Sequence, residues 1–256
     1  MTLRILLALL AAFAVARADT IPESVIDNYL AVAEPAEKDP KDWKIKIGLG
    51  ATVTDGNSDT VTFALSFDAV KQLREELKLT LTEVSTYAES GGVESANEHI
   101  FVERLDWKLN ELNSLFQTLL LEHDNQEKLR IRIVLAVGYA RKLIHKQDFD
   151  LWVEAGPGVI YEDYRTTGEN TEAILVITVR WVLKVSKDLT YEQTISVWPS
   201  LNHGGEGRVL AEAKFTTPVG DGWTVELAIR DVFNSEPPLG NVKNDLTIVL
   251  TLVVSF

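Results

Sequence analysis

From Trp43 to its last residue the chain repeats one constraint: apolar side chains fall on every second position, run after run. In "WKIKIGLGATVT", Trp43, Ile45, Ile47, Leu49, Ala51 and Val53 share one phase, and Lys44, Lys46, Gly48, Gly50, Thr52 and Thr54 share the other. Further along, Val61, Phe63, Leu65 and Phe67 oppose Thr62, Ala64, Ser66 and Asp68, while Leu129, Ile131, Ile133, Leu135, Val137 and Tyr139 oppose Arg130, Arg132 and smaller residues. Near the end Trp223, Val225, Leu227, Ile229 and Phe233 oppose Thr224, Glu226, Ala228 and Arg230, and Leu246 to Phe256 closes the chain in phase. Strand side chains alternate between two faces, whereas a helix repeats every ~3.6 residues, so this is β-structure with two unlike faces. Roughly twelve such runs lie between turn signals, most of them long enough for the ~9–11 residues that a tilted strand needs to cross a bilayer.

The connections sort into two classes. Short ones ("QLREE", "NELN", "IHKQD", "SKD", "VGDG") follow even-numbered runs, and longer or more polar ones ("SGGVESANE", "RTTGENTE", "LNHGGEG", "NSEPPLGNV") follow several odd-numbered runs. Two classes of loop imply the two ends of a membrane barrel. Trp43, Tyr87, Phe101, Trp107, Tyr139, Tyr161, Tyr191, Trp223, Phe233 and Phe256 fall mostly near strand ends on the apolar phase, where interfacial aromatic girdles lie. The expected fold is all-β: a transmembrane antiparallel up-and-down β-barrel over residues 43–256, with both termini periplasmic because the strand number is even. A secreted or periplasmic soluble β-barrel that binds an apolar ligand is the competing reading.

Ahead of the barrel, Arg4, the apolar run Ile5–Val15 and the small residues of Ala16-Arg17-Ala18 have the layout of a signal peptide over residues 1–18, cleaved near Ala18. Residues 19–42 read as a periplasmic extension: Val25, Ile26, Tyr29, Leu30 and Val32 have helical spacing, and Pro35 and Pro40 stop the short helix. A net charge of −13 argues against a nucleic-acid partner, and the absence of cysteine excludes disulfides, thiolate metal sites and thiol nucleophiles.

The polar phase would line the lumen with Lys44, Lys46, Asp68, Arg104, Arg130, Arg132, Glu154, Arg180, Glu192, Glu226 and Arg230, joined by Glu212 and Lys214. Mixed charges there either pair and fill the barrel or line a narrow pore for small ions or solutes. Glu83 and Glu103 break the rule by falling on the apolar phase, and a bulge that turns Glu83 inward toward Arg104 would repair it. In "EAGPGVIYEDY", Gly156, Pro157 and Gly158 interrupt a strand that has no edge on which to hide a proline, so a bulge or kink is expected there.

No enzymatic constellation emerges. Asn202-His203 has Gly205 where a barrel phospholipase would need its serine, and His99, His123 and His145 lack ligand-spaced partners, so neither a catalytic residue, a metal nor a cofactor is expected.

The stretches "GLGATVTDGNSDTVTFALSF", "VGYARKLI", "LWVEAGPGVIYED", "LTYEQTISVWPSL" and "LVVSF" resemble the salt-induced outer-membrane protein (YdiY-like) family, β-barrels of unknown function, over about Trp43 to Phe256. That resemblance implies a monomeric barrel in the outer membrane of a Gram-negative bacterium and carries no catalytic residues. Outer-membrane lipid and the barrel-assembly machinery, engaged through a C-terminal strand ending on Phe256, would be its partners. The function expected is a narrow porin-like channel, or a barrel supporting the envelope under salt or osmotic stress.

Overall fold

The computed structural model describes residues 43–54, 60–220, 222–237 and 243–255. The expected signal peptide, the extension over 19–42 and Phe256 lie outside these residues. Twelve antiparallel strands close into one barrel, each paired with its sequence neighbours and β1 with β12. They are β1 (Lys44–Thr54), β2 (Thr60–Arg74), β3 (Leu77–Ser90), β4 (Val93–Lys108), β5 (Asn113–Asp124) and β6 (Leu129–Lys146), followed by β7 (Phe149–Tyr164), β8 (Gly168–Lys184), β9 (Thr190–Pro199), β10 (Gly207–Gly220), β11 (Trp223–Asn234) and β12 (Asn244–Ser255). Closure pairs every strand on both sides, which is what a β-structure needs in hydrocarbon.

Alternation decides which face is which. Along β3, Thr80, Thr82, Val84, Thr86 and Ala88 are buried, while Leu79, Leu81 and Tyr87 lie on the other phase. Leu49, Phe63, Leu135, Val159, Ile177 and Leu250 are exposed on the outer face all round the barrel, Leu49 and Leu250 by about two thirds of their surface. An apolar belt that large has no place in water. Trp43, Trp107, Tyr139, Trp223, Tyr87 and Phe233 are also exposed on that face, as girdle residues are.

The loops differ from expectation. The "SGGVESANE" stretch is almost all strand, reduced to the turn Gly91-Gly92, whose φ angles of 58° and 77° suit a tight hairpin. Likewise "RTTGENTE" turns over residues 165–167 only. Polar residues there extend the strands beyond the apolar belt instead of leaving them. Residues 200–206 remain a true loop.

The repair imagined for Glu83 does not occur. Strands β3 and β4 keep one offset from Leu77↔Trp107 to Ala88↔Ala96, and Glu83 stands opposite Phe101 and Phe67 on the outer face. Glu103, between the buried Val102 and Arg104, also faces outward. The hydroxyl of Ser85 donates to Glu83 Oε1 at 2.6 Å, so local hydrogen bonding and not a phase flip accommodates the carboxylate.

Nor is there a bulge at Gly156-Pro157-Gly158. The β6–β7 offset is the same at Ala136↔Gly158 and Tyr139↔Ala155, and β7–β8 pairing runs unbroken through Pro157↔Leu175. Between those β6 pairs the ladder skips, which places the amide that Pro157 lacks on the β6 side. The glycines serve close approach: a Cβ on Gly156 would lie 2.0 Å from the Val137 carbonyl oxygen, and one on Gly138 would lie 2.4 Å from that of Ala155.

Candidate functional site: a charge-filled lumen

From β3 to β10 the interior of the barrel is packed. Val84, Ile100, Val102, Phe116, Val134, Trp152, Ile160, Ile174, Trp198 and Leu210 form a buried cluster inside the wall. Lys142 and Arg180 lie over the Trp152 ring at 4.6 and 5.2 Å, and Arg104 lies over Phe116 at 4.7 Å, so cations and aromatics interleave.

Two ion-pair chords cross this interior, and both end on β7. In the first, Arg104 of β4 donates through Nη2 to Glu154 Oε2 of β7 at 2.8 Å and through Nε to Asp106 Oδ1 at 3.0 Å, with Lys78 Nζ 3.7 Å from the other Asp106 oxygen. Arg104 and Glu154 are each 1% exposed. The second runs from β10 to β7: Arg208 Nη2 donates to Glu162 Oε1 at 2.6 Å, and the same oxygen accepts from Arg132 Nε at 2.6 Å. Arg132 also contacts Glu122, Glu127 and the Tyr164 hydroxyl. Strands β4 and β7, like β7 and β10, are three places apart in the barrel, so these pairs are not wall contacts. Each ties strands a quarter of the ring apart.

The other lumen candidates fall as follows. Arg180 pairs with Glu192 on the adjoining strand, and Asp68 accepts a hydrogen bond from the fully buried Thr82 at 2.7 Å. Lys46 stands beside Asp68 and Lys44 beside Val70, both exposed toward the end that carries the termini. Glu226 lies beside Thr216 and Thr251, while Glu212 and Lys214 are buried. Arg130 is a correction. A register shift between Leu129 and Ile131 leaves it as the extra residue, 55% exposed and paired with Asp163 on the outer side.

Glu162, which the expected lining left out, is buried and shares its parity with Glu154. Glu98 was hidden by reading "SGGVESANE" as loop, whereas Asp106 was left out of the expected lining although it shares the parity of Arg104. Glu98 is 4% exposed, and its Oε1, the Thr86 hydroxyl, and the Arg230 Nε and Nη1 have no hydrogen-bond partner among the described residues. Glu98 lies within the field of Arg230 from across the barrel and of Asp124, Glu122 and Glu127 nearby. Buried groups of this kind are normally satisfied by water or an ion.

Residues 47–256 match the profile of a family described as a protein of unknown function, DUF481. The chain belongs to the DUF481 family. The chain is also similar to the uncharacterized protein YdiY of Escherichia coli (strain K12), 24% identical over 136 residues, or 53% of this chain and 52% of that protein. The match thus spans about half the length of that relative. Among solved structures, the KdgM porin superposes over 84% of this chain and 99% of its own with a TM-score of 0.50 at 10% identity. The translocator domain of the autotransporter NalP from Neisseria meningitidis covers 85% of this chain and 89% of its own, at 12% identity and a TM-score of 0.45. The porin likeness gives this DUF481 chain the outer-membrane barrel fold, and no more than the fold.

Proposed function

We propose that this DUF481 protein is a monomeric outer-membrane barrel whose lumen is closed at rest by cross-lumen ion pairs and passes small ions only when those pairs part. The observation that carries this reading is the pair of chords from Arg104 to Glu154 and from Arg208 to Glu162, which span the interior instead of lying along the wall. Cut from its leader near Ala18 and inserted by the assembly machinery through its last strand, such a barrel would support the envelope under salt or osmotic load. The unsatisfied Glu98, Thr86 and Arg230 atoms favour a hydrated thread beside the packed core over a wholly dry plug.

Planar-bilayer recording of Asp19 to Phe256 tests it. The wild type is expected to insert almost silently. Arg208→Ala, and Arg104→Met combined with Glu154→Gln, should produce discrete small steps. Silence in all three would leave a purely structural barrel. The reading assigns no enzymatic step, and lipase turnover that vanishes in His203→Ala would overturn that part.

A further inference from the structure

The geometry points to a divalent transition-metal site of the zinc class, built from Glu172, His203 and Glu206 at the barrel end opposite the termini. One ligand atom from each of the three side chains lies within 4.8 Å of the other two. Two carboxylate oxygens and one imidazole nitrogen at that mutual spacing can close onto a single ion with bonds of about 2.0–2.2 Å after small side-chain movement. An imidazole together with two carboxylates suits zinc and its first-row neighbours, whereas calcium takes oxygen ligands alone.

Sequence spacing gives no hint of the site, because Glu172 is thirty-one positions from His203. The fold assembles it by docking the β9–β10 loop onto the start of β8. Asn202 Oδ1 accepts from the Ala173 amide at 2.6 Å, and the Leu201 amide donates to the Ala173 carbonyl at 2.8 Å, one residue from Glu172. Within the loop, the Ser200 hydroxyl accepts from the amides of Asn202 and His203, and the Glu206 amide donates to the His203 carbonyl. The loop therefore presents His203 and Glu206 on a framed turn. Asn170 Nδ2 holds Glu172 Oε1 at 2.8 Å, which orients that carboxylate.

The charge balance points the same way. Glu206 pairs only with His203, at 3.8 Å, and no Lys or Arg pairs with Glu172 or Glu206 among the described residues. Two carboxylates are thus drawn together with a single imidazole between them, and one divalent cation would neutralise both. Glu172 lies on the lumen-facing phase of β8, so an ion here would strap the loop to the wall at the mouth of the barrel.

Equilibrium dialysis of the folded protein in detergent against zinc chloride, with bound metal counted by mass spectrometry, tests the site. One zinc per chain is expected, with affinity reduced by ten-fold or so, or more, in Glu172→Gln, Glu206→Gln and His203→Ala. His99→Ala combined with His123→Ala should leave that zinc in place, and unchanged heat-modifiable migration on gels should show every variant folded. No zinc on the wild type, or stoichiometric zinc retained by His203→Ala, would overturn the assignment. Calcium held as tightly as zinc would overturn the imidazole's place in it.

Discussion

At the scale of single residues, two side-chain choices run against the general rule for a membrane wall, and each has a measurable consequence. Glu103 faces lipid between Leu81 and Leu119, with no charged partner beside it on that ladder. Carboxylates on a lipid-facing wall destabilise, though less than lysine or arginine. Glu103→Leu should therefore stabilise the barrel by about 1–2 kcal/mol, read as a higher urea midpoint for tryptophan fluorescence in lipid vesicles. A lower midpoint would mean that this carboxylate has a partner in the membrane. At Gly156 the obstacle is backbone: a methyl group would sit 2.0 Å from the Val137 carbonyl oxygen, which cannot swing away as a side chain would. Gly156→Ala should cost about 1–3 kcal/mol of overpacking. Pro157→Ala, next door and pointing outward, should stay within about 0.5 kcal/mol. If the two alanine variants melt alike, close approach is not why the glycine is there.

At the scale of elements, β7 is the beam to which the rest of the lumen is tied, because Glu154 and Glu162 on its inner face receive arginines from β4, β6 and β10. Removing one partner of a buried pair leaves uncompensated charge, so Arg104→Met should cost about 3–5 kcal/mol. Adding Asp106→Asn and Glu154→Gln should recover most of that loss, since a neutral set of similar volume carries no stranded carboxylates. Equal losses in the single and triple variants would show that Arg104 matters for its packing on Phe116 and not for its charge. Much of this arrangement was legible in the alternation, which fixes the face of Arg104, Arg132, Glu154 and Arg180 once the strands are placed. Arg130 was misplaced because a one-residue register shift reverses phase without leaving a signature in composition. The chords themselves could not be read at all, since alternation says which face a residue is on and nothing of what it meets three strands away. Strand ends were equally hidden: the polar residues after Tyr87 and after Tyr164 look like loop, yet they continue the ladder above the apolar belt, where hydrogen bonding and not burial holds them.

At the scale of the whole molecule, the barrel is a ring whose closing seam is its thinnest joint. Strand β1 pairs with β12 through only four residue pairs among the described residues, Lys46↔Ser255 to Leu49↔Leu252, whereas each of these strands makes eleven pairs with its other neighbour. Local opening draws on the fewest cooperative contacts, so the seam should be the region that separates first. The packed lumen works in the other direction: Val102, Val134 and the Arg104 chord bind β4, β6 and β7 into one block far from the seam. Hydrogen exchange in detergent micelles should therefore show the amides of Gly48 and Val253 exchanging well before those of Val102 and Val134. A uniform exchange rate around the ring would mean that the barrel opens as one unit. The seam-first order would instead imply that a closed lumen and an openable wall coexist in this fold, because the two chords that cross the interior end on β4, β6, β7 and β10.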